Sequence, residues 1–560
     1  MVAEYKGQNF LTDNDLDVHI LGFSPRWDIQ NSELRKIFQD EFERDFLGGD
    51  EIVAYAQSLV SGRMNFAELE QEILADVHSG KPLRETIFKK TATGIGRGHS
   101  LGGLTNITLG IHGTKMIDSG LTGICMSRSL VTSSRRRETT TEEIVIPEKL
   151  MGCPELLKEY LEISQEVFNL SKDFKEKFGK FGGVETFNKV IPYNNPADLF
   201  IELPLDSLTT IVSEVRADKL NPNGKFIPKE IHALSEILSE IAEKCGQGIM
   251  FNQRKEVPRD TYFHYSVFKD PSLPNYALEK GKETGMSLEP RVTDSSLDLT
   301  KGFMKGLTNL RKLFERAQKI TDSKLLHEES LKCMYAMRDL TGEFNEAVRI
   351  EIADSLSWRV WSEQKRHATL RQNVESVYSA TERAYHGVSK LWPVINEAHK
   401  ENDFEKIQNV LGELEKDIII DERLKKKPEL IIPYIYHTAK QLMFYGKMIE
   451  NGFEPRDALY IVPKNIRVRT LENYDLINLI NLELPLRLCG TCEPERQFTS
   501  WKKRNAISKV IPELEYFLQP KCNIGFCTEG KSCAYMKDIR TDYEINLHEE
   551  VKKVMLGKSQ

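Results

Sequence analysis

The chain has 560 residues and a net charge of −7, with 40% of its residues hydrophobic and 29% charged. This composition is typical of a folded globular protein and excludes a disordered one, and the length predicts several domains or one large duplicated unit. The acidic balance argues against a nucleic-acid-binding protein. The sequence has neither a long apolar run nor an apolar core at its amino terminus, so we predict a cytoplasmic protein with no membrane partner.

Helical patterns dominate the chain from its start. Apolar residues at spacings of three and four predict an N-terminal helical extension over residues 1–84. A glycine-rich turn follows at 93–103, where Arg97 and His99 could bind a phosphate; a tight structural turn explains it equally well, because the motif lacks the ends of a P-loop. Residues 252–324 predict a linker or docking segment.

The densest polar stretch is Gln364–Tyr378. It offers the guanidinium of Arg366, the imidazole of His367, the amide of Asn373 and the hydroxyl of Ser376. A phosphorylated ligand could use all four groups, since arginine binds phosphate through two N–H groups while amides and hydroxyls bind neutral edges. A solvated helix face with ordinary ion pairs is the alternative.

Two parts of the chain resemble each other in the order and spacing of four residues. Each part has a serine nine residues before an arginine, and then a proline 24 residues before a second arginine. These are Ser119, Arg128, Pro192 and Arg216 in the first part, and Ser357, Arg366, Pro463 and Arg487 in the second. The pattern predicts a tandem duplication, with a first repeat at 85–251 and a second at 325–520.

The second repeat resembles the flavin-dependent thymidylate synthases, the ThyX family. Arg366-His367 followed by Ser376 is similar to the family's signature of Arg-His-Arg, seven residues and Ser, and Leu486-Arg487 resembles its Leu-Arg at a helix–loop junction. The first repeat resembles the family more faintly. Two departures from the pattern are Ala368, in place of the third signature residue, and Val374, in place of an expected acidic residue.

The resemblance implies a helix-rich α+β fold in which each repeat has a small, mainly antiparallel sheet flanked by helices. It implies reductive methylation of the pyrimidine nucleotide dUMP, with FAD as cofactor and NADPH and methylenetetrahydrofolate as co-substrates. The alternatives are C5-alkylation of another pyrimidine nucleotide and a non-catalytic homologue that binds nucleotide or flavin. Because the family forms homotetramers, the resemblance also implies a homodimer of duplicated chains.

The resemblance also implies a role for each matching residue. The catalytic residues would be Arg366 and Ser376. The substrate-binding residues would be Arg128, Arg216, Arg371 and Arg487. The cofactor-binding residues would be His99, Arg366, His367 and Asn373.

Five of the nine cysteines lie in the last 72 residues. In a cytoplasmic chain this clustering indicates a metal rather than disulfides. Cys522, Cys527 and Cys533 lie in a C-terminal loop and tail, 521–560, and Cys489 is the candidate fourth ligand of a structural zinc, with Cys492 as its rival. An iron–sulfur cluster and unliganded thiols are the alternatives.

Overall fold

The structure is a computed structural model. It describes residues 3–5, 8–13, 15–60, 65–96, 104–124, 129–132, 144–222, 225–248, 267–270, 276–283, 289–297, 300–317, 319–320, 323–365, 369–425, 427–490 and 492–520.

Strands and helices are numbered in chain order. The strands are β1 (Ala3–Tyr5), β2 (Gln8–Thr12), β3 (Asp17–Ser24), β4 (Trp27–Asp28), β5 (Phe46–Leu47), β6 (Asn106–Thr114), β7 (Ser129–Thr132), β8 (Val145–Ile146), β9 (Pro196–Pro204), β10 (Arg291–Leu297), β11 (Val348–Ser357), β12 (Arg371–Val374) and β13 (Arg467–Tyr474).

The α-helices are α1 (Ser32–Phe42), α2 (Gly49–Val60), α3 (Leu69–His78), α4 (Leu83–Gly96), α5 (Lys115–Ile124), α6 (Pro154–Phe187), α7 (Leu205–Leu220), α8 (Lys229–Lys244), α9 (Tyr276–Glu283), α10 (Lys301–Ala317), α11 (Ser323–Phe344), α12 (Trp358–Lys365), α13 (Val377–Glu401), α14 (Phe404–Leu414), α15 (Pro428–Glu450), α16 (Pro455–Ala458), α17 (Glu483–Arg487) and α18 (Pro494–Val510). A π turn at Ile477–Asn481 precedes α17, and short 3₁₀ turns lie at Phe66–Glu68, Glu148–Gly152, Asn345–Ala347, Leu459–Ile461 and Pro512–Leu514.

Local sequence explains several helix starts. Asn31 caps α1, with its side chain accepting hydrogen bonds from the backbone N–H groups of Glu33 and Leu34. Helices α15 and α18 begin with Pro428 and Pro494, where the missing N–H of proline costs no helical hydrogen bond. Within the described part of the chain, every helix is too short or too polar to cross a membrane.

Two four-stranded antiparallel sheets have the same strand order. Sheet A runs β3-β6-β9-β7 and sheet B runs β10-β11-β13-β12. In sheet A the edge strand has a bulge between Ile20 and Gly22, and in sheet B the edge strand has one between Val292 and Asp294. The prediction of a helix-rich α+β fold with small antiparallel sheets is confirmed.

Matched positions of the two parts also meet. Pro192 and Pro463 pair with each other in an isolated antiparallel bridge. The hydroxyl of Ser119, five residues after the end of β6, lies 3.1 Å from that of Ser362, five residues after the end of β11. Pairing between matched positions is what a local twofold axis between two similar units produces.

A hydrogen-bonded set of three residues occurs in both parts. In each, a tyrosine hydroxyl on a long helix donates to a backbone carbonyl, at 2.8 Å in the first part and 2.9 Å in the second. The backbone N–H of the accepting residue then donates to the carbonyl of an asparagine, at 2.7 Å and 2.8 Å. The two sets are Tyr160–Val145–Asn194 and Tyr434–Ile419–Asn465.

One predicted match between the two parts is wrong. The spacing to the next arginine paired Ser119 with Ser357, but the strand ends pair Thr114 with Ser357, because these residues end β6 and β11. Each also donates its hydroxyl to a glutamate in the first turn of a helix. Thr114 donates to Glu230 on α8, and Ser357 donates to Glu495 on α18. The shared nine-residue spacing is therefore a coincidence.

The largest hydrophobic core is shared between the two parts. The largest core contains residues of both sheets, including Ile107 of β6 and Val468 of β13. A second core, with Phe303, Ile350 and Trp501, lies between sheet B and helices α10, α11 and α18. A third, smaller core joins helices α1–α4.

The structure differs from the expected domain boundaries at two points. Strand β3 lies in the predicted helical extension but forms an edge of sheet A. Strand β10 and helix α10 lie in the predicted linker but belong to sheet B and its core. Most residues of β3 are exposed, so this edge strand lacks the apolar pattern by which a buried strand is recognised.

Candidate functional site

The buried Arg496 and the half-buried Arg487 share the carboxylate of Glu483, the first residue of α17. The Nε group of Arg487 donates to Glu483 at 2.9 Å, and Arg496 on α18 donates to the same oxygen. The start of α18 is fixed by Glu493, whose side chain accepts from the backbone N–H of Arg496 at 2.9 Å. The side chain of Arg496 is 1% exposed and that of Arg487 is 15% exposed.

The two arginines have more N–H donors than the described groups around them have acceptors for these donors. Across the described residues, Nη2 of Arg487 and both Nε and Nη1 of Arg496 are buried and have no hydrogen-bond partner. Burial lowers the pKa of Arg496, and the neighbouring Arg487 guanidinium lowers it further. Because two buried positive charges face one carboxylate in direct contact, an anion such as a phosphate would complete the cluster.

The predicted Arg-His motif begins where α12 ends. Arg366, His367 and Ala368 lie outside the described residues, and the description resumes at Thr369. The Thr369 hydroxyl donates to the Asn478 side chain at 3.0 Å, and the Asn478 amide donates to the Thr369 carbonyl at 3.2 Å. The flank of the motif is thus attached to the π turn that leads into α17 and Arg487, and such turns are frequent at functional sites.

A buried ionic network connects α18 to sheet B near the arginines. The ammonium of Lys503 on α18 lies 2.8 Å from Asp354 on β11 and 2.6 Å from Glu472 on β13. Glu472 also accepts from Tyr474 at 2.9 Å and from Gln364 on α12. Burial raises the pKa of Asp354, while Lys503 opposes this shift. The network fixes α12 and α18 relative to the sheet.

Ser376 lies in a second cluster, at the amino-terminal end of α13. It is 1% exposed. Its hydroxyl donates to the backbone carbonyl of Lys269 at 3.0 Å, and the N–H of Val377 donates to the carbonyl of Val267 at 2.9 Å. The hydroxyl of Tyr378 donates to the carbonyl of Phe226, which belongs to the first part of the chain.

Comparisons with known proteins point to one family. The chain is 26% identical over 129 residues to the flavin-dependent thymidylate synthase of Saccharolobus solfataricus, covering 23% of this chain and 48% of that protein. It is 27% identical over 124 residues to that of Thermococcus onnurineus and 30% over 122 residues to that of Pyrococcus horikoshii, each time covering 21% of this chain and 50% of the relative. These matches support the resemblance to a divergent member of the flavin-dependent thymidylate synthase family.

The similarity is partial. The chain spans about half the length of the curated relatives that it matches. No family model matches the chain.

The structure separates the residues that the family resemblance groups together. Arg487 lies with Arg496 beside the flank of the Arg-His motif, whereas Ser376 lies in the second cluster. On β12, Arg371 is exposed and Asn373 is half-buried, opposite Asn473 and Leu471 of β13. Arg216 is half-buried on α7 in the first part. Four other predicted site residues lie outside the described residues: His99, Arg128, Arg366 and His367.

The predicted metal site is only partly described. Cys489 and Cys492 are half-buried, and the backbone N–H of Cys492 donates to the carbonyl of Cys489 at 3.0 Å. Cys522, Cys527 and Cys533 lie outside the described residues. Among the residues that are described, no group of three or more His, Cys, Asp or Glu could hold a metal ion.

The prediction from sequence missed Arg496 and Glu483. Arg496 lies in a polar helix, where a single arginine is usually solvated, and only its nine-residue distance from Arg487 hinted at a contact. The network under sheet B left a clearer signal, since Asp354 interrupts the alternating apolar face of β11. A charged residue on the inner face of a strand requires a buried partner.

Proposed function

We propose that the chain is a flavin-dependent thymidylate synthase that methylates dUMP, with the nucleotide bound at Arg487 and Arg496. The observation that carries this proposal is that three buried guanidinium nitrogens, Nη2 of Arg487 and Nε and Nη1 of Arg496, have no hydrogen-bond partner among the described residues. The family resemblance supplies the reaction class. C5-alkylation of another pyrimidine nucleotide would use the same contacts.

In this proposal the two arginines bind the phosphate or a pyrimidine carbonyl edge, because a guanidinium donates parallel N–H groups to such acceptors. The same chemistry suits the pyrophosphate of FAD, so the donor set fits both ligands. Arg366, His367 and Asn373 are the proposed flavin contacts. When bound, FAD would deliver the hydride that it receives from NADPH, and methylenetetrahydrofolate would supply the carbon.

The protein's own contribution is position and charge. Glu483 holds both arginines, and the network of Lys503, Asp354 and Glu472 keeps α18 against sheet B. Such fixed donors lower the cost of reorganisation during the reaction and keep water away from the reacting groups.

A non-catalytic homologue that binds nucleotide is the second candidate. The occupied hydroxyl of Ser376 favours it, as do Ala368 and Val374 at positions where the family resemblance leads us to expect an arginine and an acidic residue. Such a protein would bind dUMP without turnover.

We also propose that the chain is a tandem duplication that assembles as a homodimer. The common strand order, the matched bulges and the Pro192–Pro463 bridge support the duplication. The family resemblance supports the dimer. Light scattering after size exclusion tests it, and a mass of one chain would contradict it.

Activity is tested by tritium release from 5-tritiated dUMP, with NADPH and methylenetetrahydrofolate added to the FAD-loaded protein. We expect release by the natural chain and a loss of about tenfold or more in Arg496→Ala, since losing a charged contact to an anion costs about 1.5–3 kcal/mol. Lys509→Ala, an exposed change on the same helix, is the matched control. Visible flavin absorbance and dUMP binding without tritium release would favour the non-catalytic alternative.

A further inference from the structure

The matched architecture provides two places at which a nucleotide could bind. Arg216 and Arg487 each follow one of the paired prolines, Pro192 and Pro463, by 24 residues. The first place, here named the Ser376 site, lies at the start of α13, where Tyr378 donates to the carbonyl of Phe226 in the segment after α7. The second, the Arg487 site, lies beside α17 and α18.

The Asp218 carboxylate near the end of α7 is already paired within the chain. The carboxylate of Asp218, two residues after Arg216, accepts from the backbone N–H of Phe226 at 3.0 Å and lies 2.7 Å from a ring nitrogen of His232. In the Arg487 site, by contrast, described donors of Arg487 and Arg496 lack partners. The two matched places therefore differ in what they can still bind.

Backbone carbonyls occupy the start of α13. A helix amino terminus offers unpaired N–H groups that suit a phosphate. Here Val377 donates its N–H to Val267 and Ser376 donates its hydroxyl to Lys269, at 2.9 Å and 3.0 Å. A phosphate at this place would have to displace residues 267–270.

The 267–270 segment is packed into the core rather than laid on the surface. Phe268 is fully buried, and its ring centroid lies 6.3 Å from that of Tyr378. It also packs against α5, where a Cβ added at Gly120 would lie 3.2 Å from the Phe268 ring. The Lys269 ammonium donates to the carbonyl of Val374, and burial lowers the pKa of Lys269 to about 8.

We infer that the chain binds one nucleotide rather than two, at the Arg487 site, and that its own residues 267–270 permanently fill the Ser376 site. The inference rests on the proposed function for the identity of the ligand. It assigns Ser376 a structural role, as a cap that attaches the 267–270 segment to α13.

Stoichiometry with dUMP tests the inference, using calorimetry on the FAD-loaded full chain and its matched arginine variants. We expect one dUMP per chain, at least a tenfold weaker affinity in Arg487→Ala, and less than a twofold change in Arg216→Ala. Two dUMP per chain, or a single site lost in Arg216→Ala and kept in Arg487→Ala, would overturn the inference while leaving nucleotide binding intact.

A second measurement needs no ligand. In Ser376→Cys the new thiol should react with iodoacetamide at least about tenfold more slowly than that of Ser389→Cys, a less buried position on the same helix, because the segment covers it. Peptide mass spectrometry identifies the modified residue among the native cysteines. Equal rates would refute the closed site. Absence of dUMP binding with a protected thiol would instead count against the proposed function alone.

Discussion

Lys189 is the residue whose loss should most weaken the contact between the two parts of the chain. It is fully buried before the Pro192 bridge and lies 2.7 Å from both Glu493 and Glu495, at the start of α18. Burial alone would lower the pKa of Lys189, but the two carboxylates raise it above its usual range, so the amine is charged. We therefore consider Lys189→Met, which keeps most of the volume and removes the charge.

The substitution leaves two buried carboxylates without their cation. Breaking a buried ion pair by removing one partner costs about 3–5 kcal/mol. Glu495 keeps its bonds from the N–H and hydroxyl of Ser357, at 2.7 Å and 2.8 Å, and Glu493 keeps its bond from Arg496. These remaining bonds place the expected loss near the lower end, about 3 kcal/mol.

Thermal denaturation provides the measurement. At about 2.1 cal/mol/K per residue, the unfolding entropy of the 560-residue chain is about 1.2 kcal/mol/K, so a loss of 3 kcal/mol lowers Tm by roughly 2–3 °C. The matched control is Tyr460→Phe, three residues before Pro463 as Lys189 is three before Pro192. The buried Tyr460 hydroxyl has no partner among described groups, so its removal should leave stability unchanged or slightly raised. Exposed ion pairs contribute less than about 1 kcal/mol. A decrease in the free energy of unfolding smaller than this in Lys189→Met would refute the reasoning.

Three further predictions concern buried polar groups and the cysteines. Burial raises the pKa of Glu230 well above its usual value, so the folded state binds an extra proton. The free energy of unfolding therefore falls as the pH rises above about 4.5. Glu230→Gln should remove this dependence in denaturation curves measured between pH 5 and 8. Gln372 is buried and neither amide atom has a partner among the described residues, so Gln372→Met should raise the free energy of unfolding by about 1 kcal/mol, and a loss would contradict this. Elemental analysis should find about one zinc per chain, lost in Cys489→Ser and kept in Cys492→Ser; the reverse pattern would make Cys492 the ligand.

The sequence predicted features that depend on regular spacing. The interval from Pro192 to Arg216 equals that from Pro463 to Arg487, and each spans one central strand and the helical residues that follow it. Strand length and register set such intervals, so they persist when side chains change. The intervals predicted that Arg216 and Arg487 occupy matched positions, and the fold class followed from the family resemblance.

Features that depend on contacts between distant residues were not predictable in this way. Residues 267–270 have no helical or strand periodicity, so nothing in them predicts that they cover Ser376, more than 100 residues later. Arg496 looks like a solvated residue until α17 is packed beside it. The equal spacing at Ser119 and Ser357 misled because the two serines lie at different points of the fold, inside α5 and at the end of β11.

The contact between Lys189 and the α18 glutamates has a consequence for how this protein can vary. In a dimer of identical subunits every substitution appears twice, once on each side of the axis, so a lysine at one matched position brings a lysine at the other. Within a single chain, position 189 is a lysine facing two glutamates while position 460 is a tyrosine near Glu230. Each side can therefore accumulate changes that a symmetric assembly would have to accept on both sides at once.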